Sequence, residues 1–285
     1  LHVHVGKVEE KGSIKVNESV NLEINIKKRN DAKAYHSATH LLHEALRRIL
    51  GKHVTQKGSL VSPERLRFDF SHNKPIERQE IGRIENLVND MVTKSSEVKT
   101  RIMTPKEAVD NGALALFGEK YGNEVRVLSM GTENGKSFST ELCGGTHVAN
   151  TSEIGRFKIT SQSSIASGVR RVEALRAAQL EEYEKNQVQT KSNEDKKIID
   201  EINLIKKDLE NLKIKPNYQS NSNHSENLKN LNKQLELIKV KNIINDKTKN
   251  IINDIKIEDF TFRYQTIKDL PSKELRTIVD AGKKI

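Results

Sequence analysis

Two short stretches of the sequence carry residue types that bind transition metals. His36 and His40 lie in a segment whose alanine, leucine and isoleucine residues recur every three or four positions, which predicts a helix. Residues four apart in a helix lie on the same face, about 6 Å apart along the axis, so the two imidazoles can share one metal ion. The only cysteine, Cys143, stands four residues before His147. Because imidazole and thiolate are ligands that zinc prefers, these four residues are the predicted zinc ligands.

A histidine pair at helical spacing is, taken alone, more often two ordinary core or surface histidines than a metal site. The run CGGTH at residues 143–147 favours the metal, because glycines add no packing and cost backbone entropy unless the chain must approach something closely. Four protein ligands would close a tetrahedral shell and make the zinc structural. Three ligands would leave room for a water that the ion activates, and the sequence leaves both arrangements open.

The elements that must position these residues are predicted from periodicity and capping. The zinc helix is predicted over residues 31–51, with Asn30 or Asp31 as its N-cap and Gly51 at its end. Residues 53–60 are interpreted as a short polar segment. Strands are predicted at 66–70, 98–103, 125–130, 137–142 and 157–162, and helices at 75–95 and 106–111. The predicted fold class is α+β, a mixed or antiparallel sheet with covering helices, in which the zinc helix lies near the strand that ends at Cys143.

Both ends of the chain have a different pattern. Residues 1–29 alternate apolar and polar side chains between glycines and Asn17, which predicts short antiparallel strands. His2 and His4 are interpreted as structural, because neither a cysteine nor a further histidine is near them in the sequence. Residues 255–285 predict a strand at 260–267 and a helix that begins near Pro271.

Beyond about residue 173 the sequence is rich in Glu, Lys, Asn and Gln and carries two apolar seams at coiled-coil spacing. The seams consist of Ile198, Ile202, Ile205, Leu209 and Leu212, and of Leu228, Leu231, Leu235 and Ile238. Pro216 separates them, which predicts a helical hairpin. Packing within the chain is favoured over pairing between chains, because the short loop holds the second seam at high effective concentration.

Six segments, in this order, resemble the editing domain of the alanyl-tRNA synthetase family. They are HSATHLLH (36–43), HVTQKGSLV (53–61), RFDFSH (67–72), GALALFGEKYG (112–122), FSTELCGGTHV (138–148) and GVRRVEAL (168–175). The resemblance implies four parts: the end of a small β-barrel at 1–29, a zinc-containing editing domain at 30–175, a helical hairpin at 176–245, and the truncated start of a C-terminal tRNA-binding domain at 246–285. Together with a first residue, Leu1, that is not methionine, it predicts that the chain is a fragment.

The resemblance also implies an activity, hydrolysis of the ester that joins a wrong amino acid, serine or glycine, to the 3′ end of tRNA(Ala). A synthetase pocket shaped for alanine cannot strongly reject an analogue with one extra hydroxyl, so a second, hydrolytic site is needed. Thr39 and Gln56 are the residues expected to discriminate substrates and position water. Their alternatives are a helix threonine that bonds its own backbone and a loop glutamine that faces water.

Contacts with tRNA are expected from a pair of arginines and two lysines. Arg170 and Arg171 are adjacent after Gly168, and in a strand their side chains would point to opposite faces, so at most one would enter the pocket. Lys57 and Lys120 are candidate phosphate contacts. For a single lysine in so basic a chain, the alternative is a side chain that only faces solvent.

Composition agrees with a soluble, cytoplasmic protein that handles RNA. In 285 residues there are 34% hydrophobic, 4% aromatic and 31% charged residues, and a formal charge of +10 favours a polyanionic partner. Lysine-rich helices that bind nothing would give the same charge. One cysteine excludes an internal disulfide, and no run of about 18 apolar residues predicts a membrane span. A monomer is favoured.

Other function classes stay open at this point. No segment resembles the ATP-binding core that charges tRNA, so deacylation without aminoacylation is expected. A free-standing trans-editing deacylase and a non-catalytic, zinc-stabilised tRNA-binding module are the alternatives. A nucleobase deaminase is disfavoured, because the paired cysteines and glutamate of its signature are missing.

Overall fold

The computed structural model describes residues 5–8, 12–114, 122–220, 223–245, 250–270, 272 and 275–276. The chain forms two compact units, Leu1–Glu184 and Lys185–Ile285. Within the described residues, no helix is long and apolar enough to cross a bilayer. The elements are α1 (Ile26–Leu50), β1 (Gln56–Val61), β2 (Leu66–Ser71), α2 (Arg78–Thr93), β3 (Lys99–Met103), α3 (Pro105–Asp110), β4 (Val125–Glu133), β5 (Lys136–Leu142), a 3₁₀ helix (Thr151–Ile154), β6 (Phe157–Ala166), β7 (Val169–Arg176), α4 (Ala177–Asn211), α5 (His224–Asn245), β8 (Asn250–Ile257) and β9 (Phe260–Ile267).

The first unit contains two antiparallel sheets. One has the strand order β1-β2-β7-β6 and the other the order β3-β4-β5. Helix α1 packs against α2 and contacts strands of both sheets. The α+β class is therefore confirmed, with two antiparallel sheets in place of a single one.

Helix α1 forms because one side of it is apolar and both ends are capped. Residues such as Leu41, Leu42 and Leu46 are fully buried in one core with Phe68 and Phe70 of β2. The N-cap is not Asn30 or Asp31, because the helix begins five residues earlier than predicted. Asn25 caps it, and its side-chain oxygen accepts a hydrogen bond from the Lys28 amide at 2.9 Å.

The segment before α1 differs from the prediction. The described residues 5–8 and 12–25 contain no strand, and apolar side chains such as Val16 and Leu22 are exposed. Alternation produces a half-buried strand only when a neighbouring surface covers the apolar face, and the described part of the chain places none against these residues. His2 and His4 lie outside the described residues.

The predicted helical hairpin is formed by α4 and α5, and its apolar seam lies in the second unit. Ile202, Ile205 and Leu209 of the first seam pack with Leu231 and Leu235 of the second. Leu212 was assigned to the first seam but lies beyond the end of α4 and is 43% exposed. Strand β9 matches the prediction at 260–267, whereas its antiparallel partner β8 was missed. Pro271 and most of the helix predicted after it lie outside the described residues.

Candidate metal centre

The structure brings the four predicted ligands together from two elements. His36 and His40 lie on successive turns of α1, and Cys143 and His147 lie on the turn that follows β5. One ligand atom from each of the four residues lies within 4.8 Å of the others. His36 Nε2 is 3.6 Å from Cys143 Sγ, and the rings of His36 and His147 are 4.3 Å apart.

The turn after β5 is held against α1 by its backbone. The Val148 amide donates to the Ser37 hydroxyl at 3.1 Å, and that hydroxyl donates to the Lys33 carbonyl at 2.9 Å. Arg126 donates to the carbonyl of Gly145, and the Cys143 amide donates to the Arg126 carbonyl at 3.0 Å. Ser37, which is fully buried, was not singled out from the sequence, because a serine inside a helix carries no signal of a distant partner.

A buried carboxylate that the sequence analysis missed orients the histidines of α1. Glu141 Oε2 is 2.6 Å from His40 Nδ1, and its Oε1 is 3.0 Å from His43 Nδ1. The sequence favours a surface position for His43, on the same helix face as His36 and His40, but this residue is only 5% exposed, so that interpretation is wrong. A carboxylate at Nδ1 holds a proton on that nitrogen, so Nε2 is the atom left to bind a metal, which is the usual outer-shell arrangement around a metal-binding histidine.

The charged groups of this cluster stabilise one another's ionised forms. Burial alone would lower the pKa of His40, but Glu141 and the Cys143 thiolate raise it to about 9. Burial would likewise raise the pKa of Glu141, yet its two histidine partners lower it to about 2. Burial opposes ionisation of Cys143, but the neighbouring imidazoles of His147, His36 and His40 lower its pKa to about 3. Cys143 is therefore a thiolate at neutral pH, the form that binds metals.

These residues fit a zinc ion. His40 Nε2 and His147 Nε2 are buried and have no hydrogen-bond partner among the described residues, so each is a polar atom that the protein alone does not satisfy. Zinc–ligand distances of about 2.0–2.3 Å place the ligand atoms of a tetrahedron about 3.3–3.8 Å apart. The observed cluster, within 4.8 Å, needs only a modest contraction to reach that geometry.

The second glycine of the CGGTH run, Gly145, lies directly against the predicted ligand His36. A Cβ on Gly145 would lie 2.3 Å from Cε1 and 2.8 Å from Nδ1 of His36, whereas a Cβ on Gly144 would meet nothing within 4 Å. We expect Gly145→Ala to displace the His36 ring and to lower zinc affinity at least about tenfold, a loss like that of an outer-shell partner. Competition with a zinc chelator measures it.

The matched control for this substitution is Gly144→Ala. It makes the same change one residue away, in open space, and should leave zinc affinity as in the unmodified chain. Equal affinities of the two variants would show that His36 is not held where the structure places it.

The two predicted substrate-discriminating residues have local hydrogen-bond partners. Thr39 is buried and its hydroxyl donates to the carbonyl of Tyr35 at 2.9 Å, the backbone bond of the alternative interpretation. Gln56 begins β1, so part of the segment interpreted only as short and polar is a strand. Its amide group donates to Ser59 at 3.3 Å. Their discriminating role stays a prediction.

The residues predicted to contact tRNA differ in their hydrogen-bond partners and exposure. Arg171 makes a two-pronged pair with Asp69, at 2.7 and 2.8 Å, and Arg170 donates to the Gln162 side chain at 3.0 Å. As predicted for neighbours in a strand, the two arginines point to different partners on opposite faces. Lys57 is exposed, and Lys120 lies outside the described residues.

Comparisons with known proteins show what this chain is similar to. Residues 125–173 match the family described as "Threonyl and Alanyl tRNA synthetase second additional domain", a stretch that holds β4 to β6, most of β7, Cys143 and His147. The chain is 57% identical over 179 residues to the alanine–tRNA ligase of Parvibaculum lavamentivorans, which covers 61% of this chain and 20% of that protein.

Two further relatives have the same name. The alanine–tRNA ligase of Chelativorans sp. is 53% identical over 188 residues, covering 64% of this chain and 21% of the relative. That of Mesorhizobium japonicum is 53% identical over 180 residues, covering 61% and 20%. Over these stretches the chain is similar to part of an alanine–tRNA ligase, and it spans about a fifth of the length of the curated relatives that it matches.

Proposed function

We propose that this chain is a zinc-dependent editing module that hydrolyses the ester of tRNA(Ala) mischarged with serine or glycine. One observation carries the proposal: three imidazoles and a thiolate converge within 4.8 Å, with two buried imidazole nitrogens that have no partner among the described residues. His36, His40, Cys143 and His147 would hold the ion. Bound zinc supplies either a closed structural and positioning centre or, with one ligand withdrawn, Lewis-acid chemistry at the ester.

The chain's own residues build the site around that centre. Glu141 fixes the imidazoles of His40 and His43 by accepting from both Nδ1 atoms. Ser37 links α1 to the turn that carries His147, because its hydroxyl accepts a hydrogen bond from the Val148 amide. This bond helps to hold the two halves of the site together. A site that is preorganised in this way binds its substrate without the entropic cost of ordering its own side chains.

Selection of serine over alanine would come from hydrogen-bonding side chains near the centre. An alanyl ester leaves such groups unpaired in a buried pocket, whereas a seryl ester satisfies them. Gln56 and Thr39 are the candidates. Gln56 lies at the start of β1, a strand that contacts α1, and its weak 3.3 Å bond to Ser59 can be exchanged for one to a substrate hydroxyl.

The test combines metal content and hydrolysis on one sample of the full chain. We expect stoichiometric zinc and hydrolysis of seryl-tRNA(Ala) well above the buffer rate, with alanyl-tRNA(Ala) spared by at least about 10²-fold. Removal of zinc with a chelator should abolish the hydrolysis, and added zinc should restore it. A sample that binds zinc and tRNA but leaves both esters intact at the buffer rate would instead be a non-catalytic binding module.

A further inference from the structure

A cleft of about 560 Å³ lies beside the C-terminal half of α1, over one face of the β3-β4-β5 sheet. Its lining is rich in positive charge, with five cationic side chains and one carboxylate. These are Arg47, Arg48, Lys99, Arg101 and Lys136, and Glu44. Hydroxyl groups of Ser129 and Thr140 lie on the floor between them, so the cleft offers hydrogen-bond donors as well as charge.

Part of this charge is unpaired. Arg48 is neutralised by Glu44 at 2.7 Å and by Glu133. Lys99 pairs with Glu97 at 3.7 Å, but both side chains are more than 60% exposed, so that pair adds little. Arg101 and Lys136 have no carboxylate within ion-pair distance in the part of the chain that the structure describes.

The cleft adjoins the metal centre along two elements. On α1, Arg47 lies seven residues after His40, on the same face and about 10 Å further along the axis. On β5, Thr140 lies three residues before Cys143, about 10 Å along an extended strand, with its side chain on the sheet face opposite that of Glu141. Phosphates of one stacked strand are about 3.4 Å apart along the axis, so this offset corresponds to about three nucleotides.

We infer that this cleft binds the phosphate backbone of the single-stranded 3′ end of an RNA whose terminal nucleotide lies at the metal centre. The inference rests on the proposed function for the position of that last nucleotide. Arg171, one of the predicted tRNA contacts, already pairs with Asp69, so the phosphate contacts are assigned to cations of the cleft instead. The cations whose partners are weak or absent are Lys99, Arg101 and Lys136.

Recognition here is of backbone and not of base. The only aromatic ring in the lining is that of Phe138, which is 3% exposed and covered by the Arg48 guanidinium at 4.0 Å. Without an open aromatic face, bases have no stacking platform in the cleft. Binding should therefore depend strongly on salt and little on sequence.

The test uses the full chain and a labelled single-stranded RNA of about a dozen nucleotides ending in CCA, followed by fluorescence anisotropy. The variant Lys99→Ala/Arg101→Ala/Lys136→Ala removes three exposed cations from the cleft. We expect its RNA affinity at 0.1 M salt to fall at least about tenfold, and the salt dependence, log K against log salt, to lose about 2 in slope. Zinc content and thermal unfolding should not change.

The control variant Lys28→Ala/Lys74→Ala/Lys94→Ala removes the same charge from exposed positions outside the cleft lining. Its affinity should stay within about threefold of the unmodified chain, because distant surface charges are largely screened at this salt. Equal losses in the two variants, unchanged affinity of the cleft variant, or no RNA binding by the unmodified chain would each overturn the inference.

Seryl-ester hydrolysis by the unmodified chain separates this inference from the proposed function. If the unmodified chain hydrolyses mischarged tRNA but the cleft variant binds RNA normally, the proposed function stands and the inference about the cleft is wrong. If the unmodified chain hydrolyses nothing but the cleft variant loses RNA affinity, the inference about the cleft stands and the proposed function is wrong. If both hold, the cleft variant should raise KM for seryl-tRNA(Ala) and leave kcat nearly unchanged, since uniform binding is lost.

Discussion

Cys143→Ala should leave the chain folded but nearly free of zinc, and hydrolysis of seryl-tRNA(Ala) should fall to the buffer rate. Cys143 is the only anion among the four predicted ligands and is already ionised at neutral pH, with its pKa lowered to about 3. Its removal takes away the one ligand that neutralises charge at the ion. Zinc affinity should fall by more than the roughly 10–100-fold that the loss of an outer-shell partner costs.

The measurements are metal content after dialysis and single-turnover hydrolysis at matched protein concentration. The control is Thr146→Ala, an exposed residue on the same turn, which should retain zinc. Thermal unfolding of both variants in the presence of a chelator separates loss of metal from loss of fold. Full zinc content and full activity in Cys143→Ala would remove the thiol from the site.

The clustering of the four predicted ligands could be predicted from the sequence because they obey two short-range rules. Helical spacing places His36 and His40 on one face wherever the helix lies. The glycines before His147 have no packing value, so they indicate a close approach, and Gly145 makes that approach to His36. What the sequence does not contain is the distance between α1 and the turn after β5, which depends on the packing of the whole first unit.

Glu141 and His43 were missed for the same physical reason. Glu141 follows Ser139 on the inward face of β5, and an isolated glutamate in a strand is ordinarily solvent-facing. Its burial is tolerated only because two imidazoles from another element donate to it. A pairing across about a hundred residues leaves no local pattern in one sequence.

The missed strands and the segment before α1 show the limits of periodicity. Gln56–Val61 lacks the alternation of a half-buried strand, yet it becomes β1 because the free edge of β2 is available for pairing. Residues 12–25 do alternate, yet no neighbouring strand or helix covers them in the described residues, and they form no strand. In both cases, tertiary neighbours decide what a weak local preference becomes.

Glu141→Gln should reduce zinc affinity by about 10–100-fold while all four ligands remain in place. The present carboxylate accepts from Nδ1 of both His40 and His43. Glutamine keeps the shape but has one oxygen and one amide nitrogen, so it can accept from only one of the two rings and must donate to the other. A ring that accepts at Nδ1 carries its proton on Nε2, where it cannot bind a metal.

The outcome depends on which way the new amide points, and the two orientations predict different spectra. If the amide nitrogen faces His40, the ligand tautomer is lost. If it faces His43, His40 keeps its tautomer but loses the negative charge that strengthened it. Nitrogen NMR of labelled histidine distinguishes these states in the metal-free chain, and chelator competition measures the affinity.

Glu133→Gln is the matched control, because it removes a carboxylate from the far end of the same β4–β5 hairpin, where the partner is the part-exposed Arg48. That variant should bind zinc as the unmodified chain does. Zinc affinity that is unchanged in Glu141→Gln would mean that orientation of His40 by a carboxylate contributes nothing to the centre. The buried Glu141 would then serve only to hold β5 against α1, and the only effect of the substitution would be a lower thermal unfolding temperature of the metal-free variant.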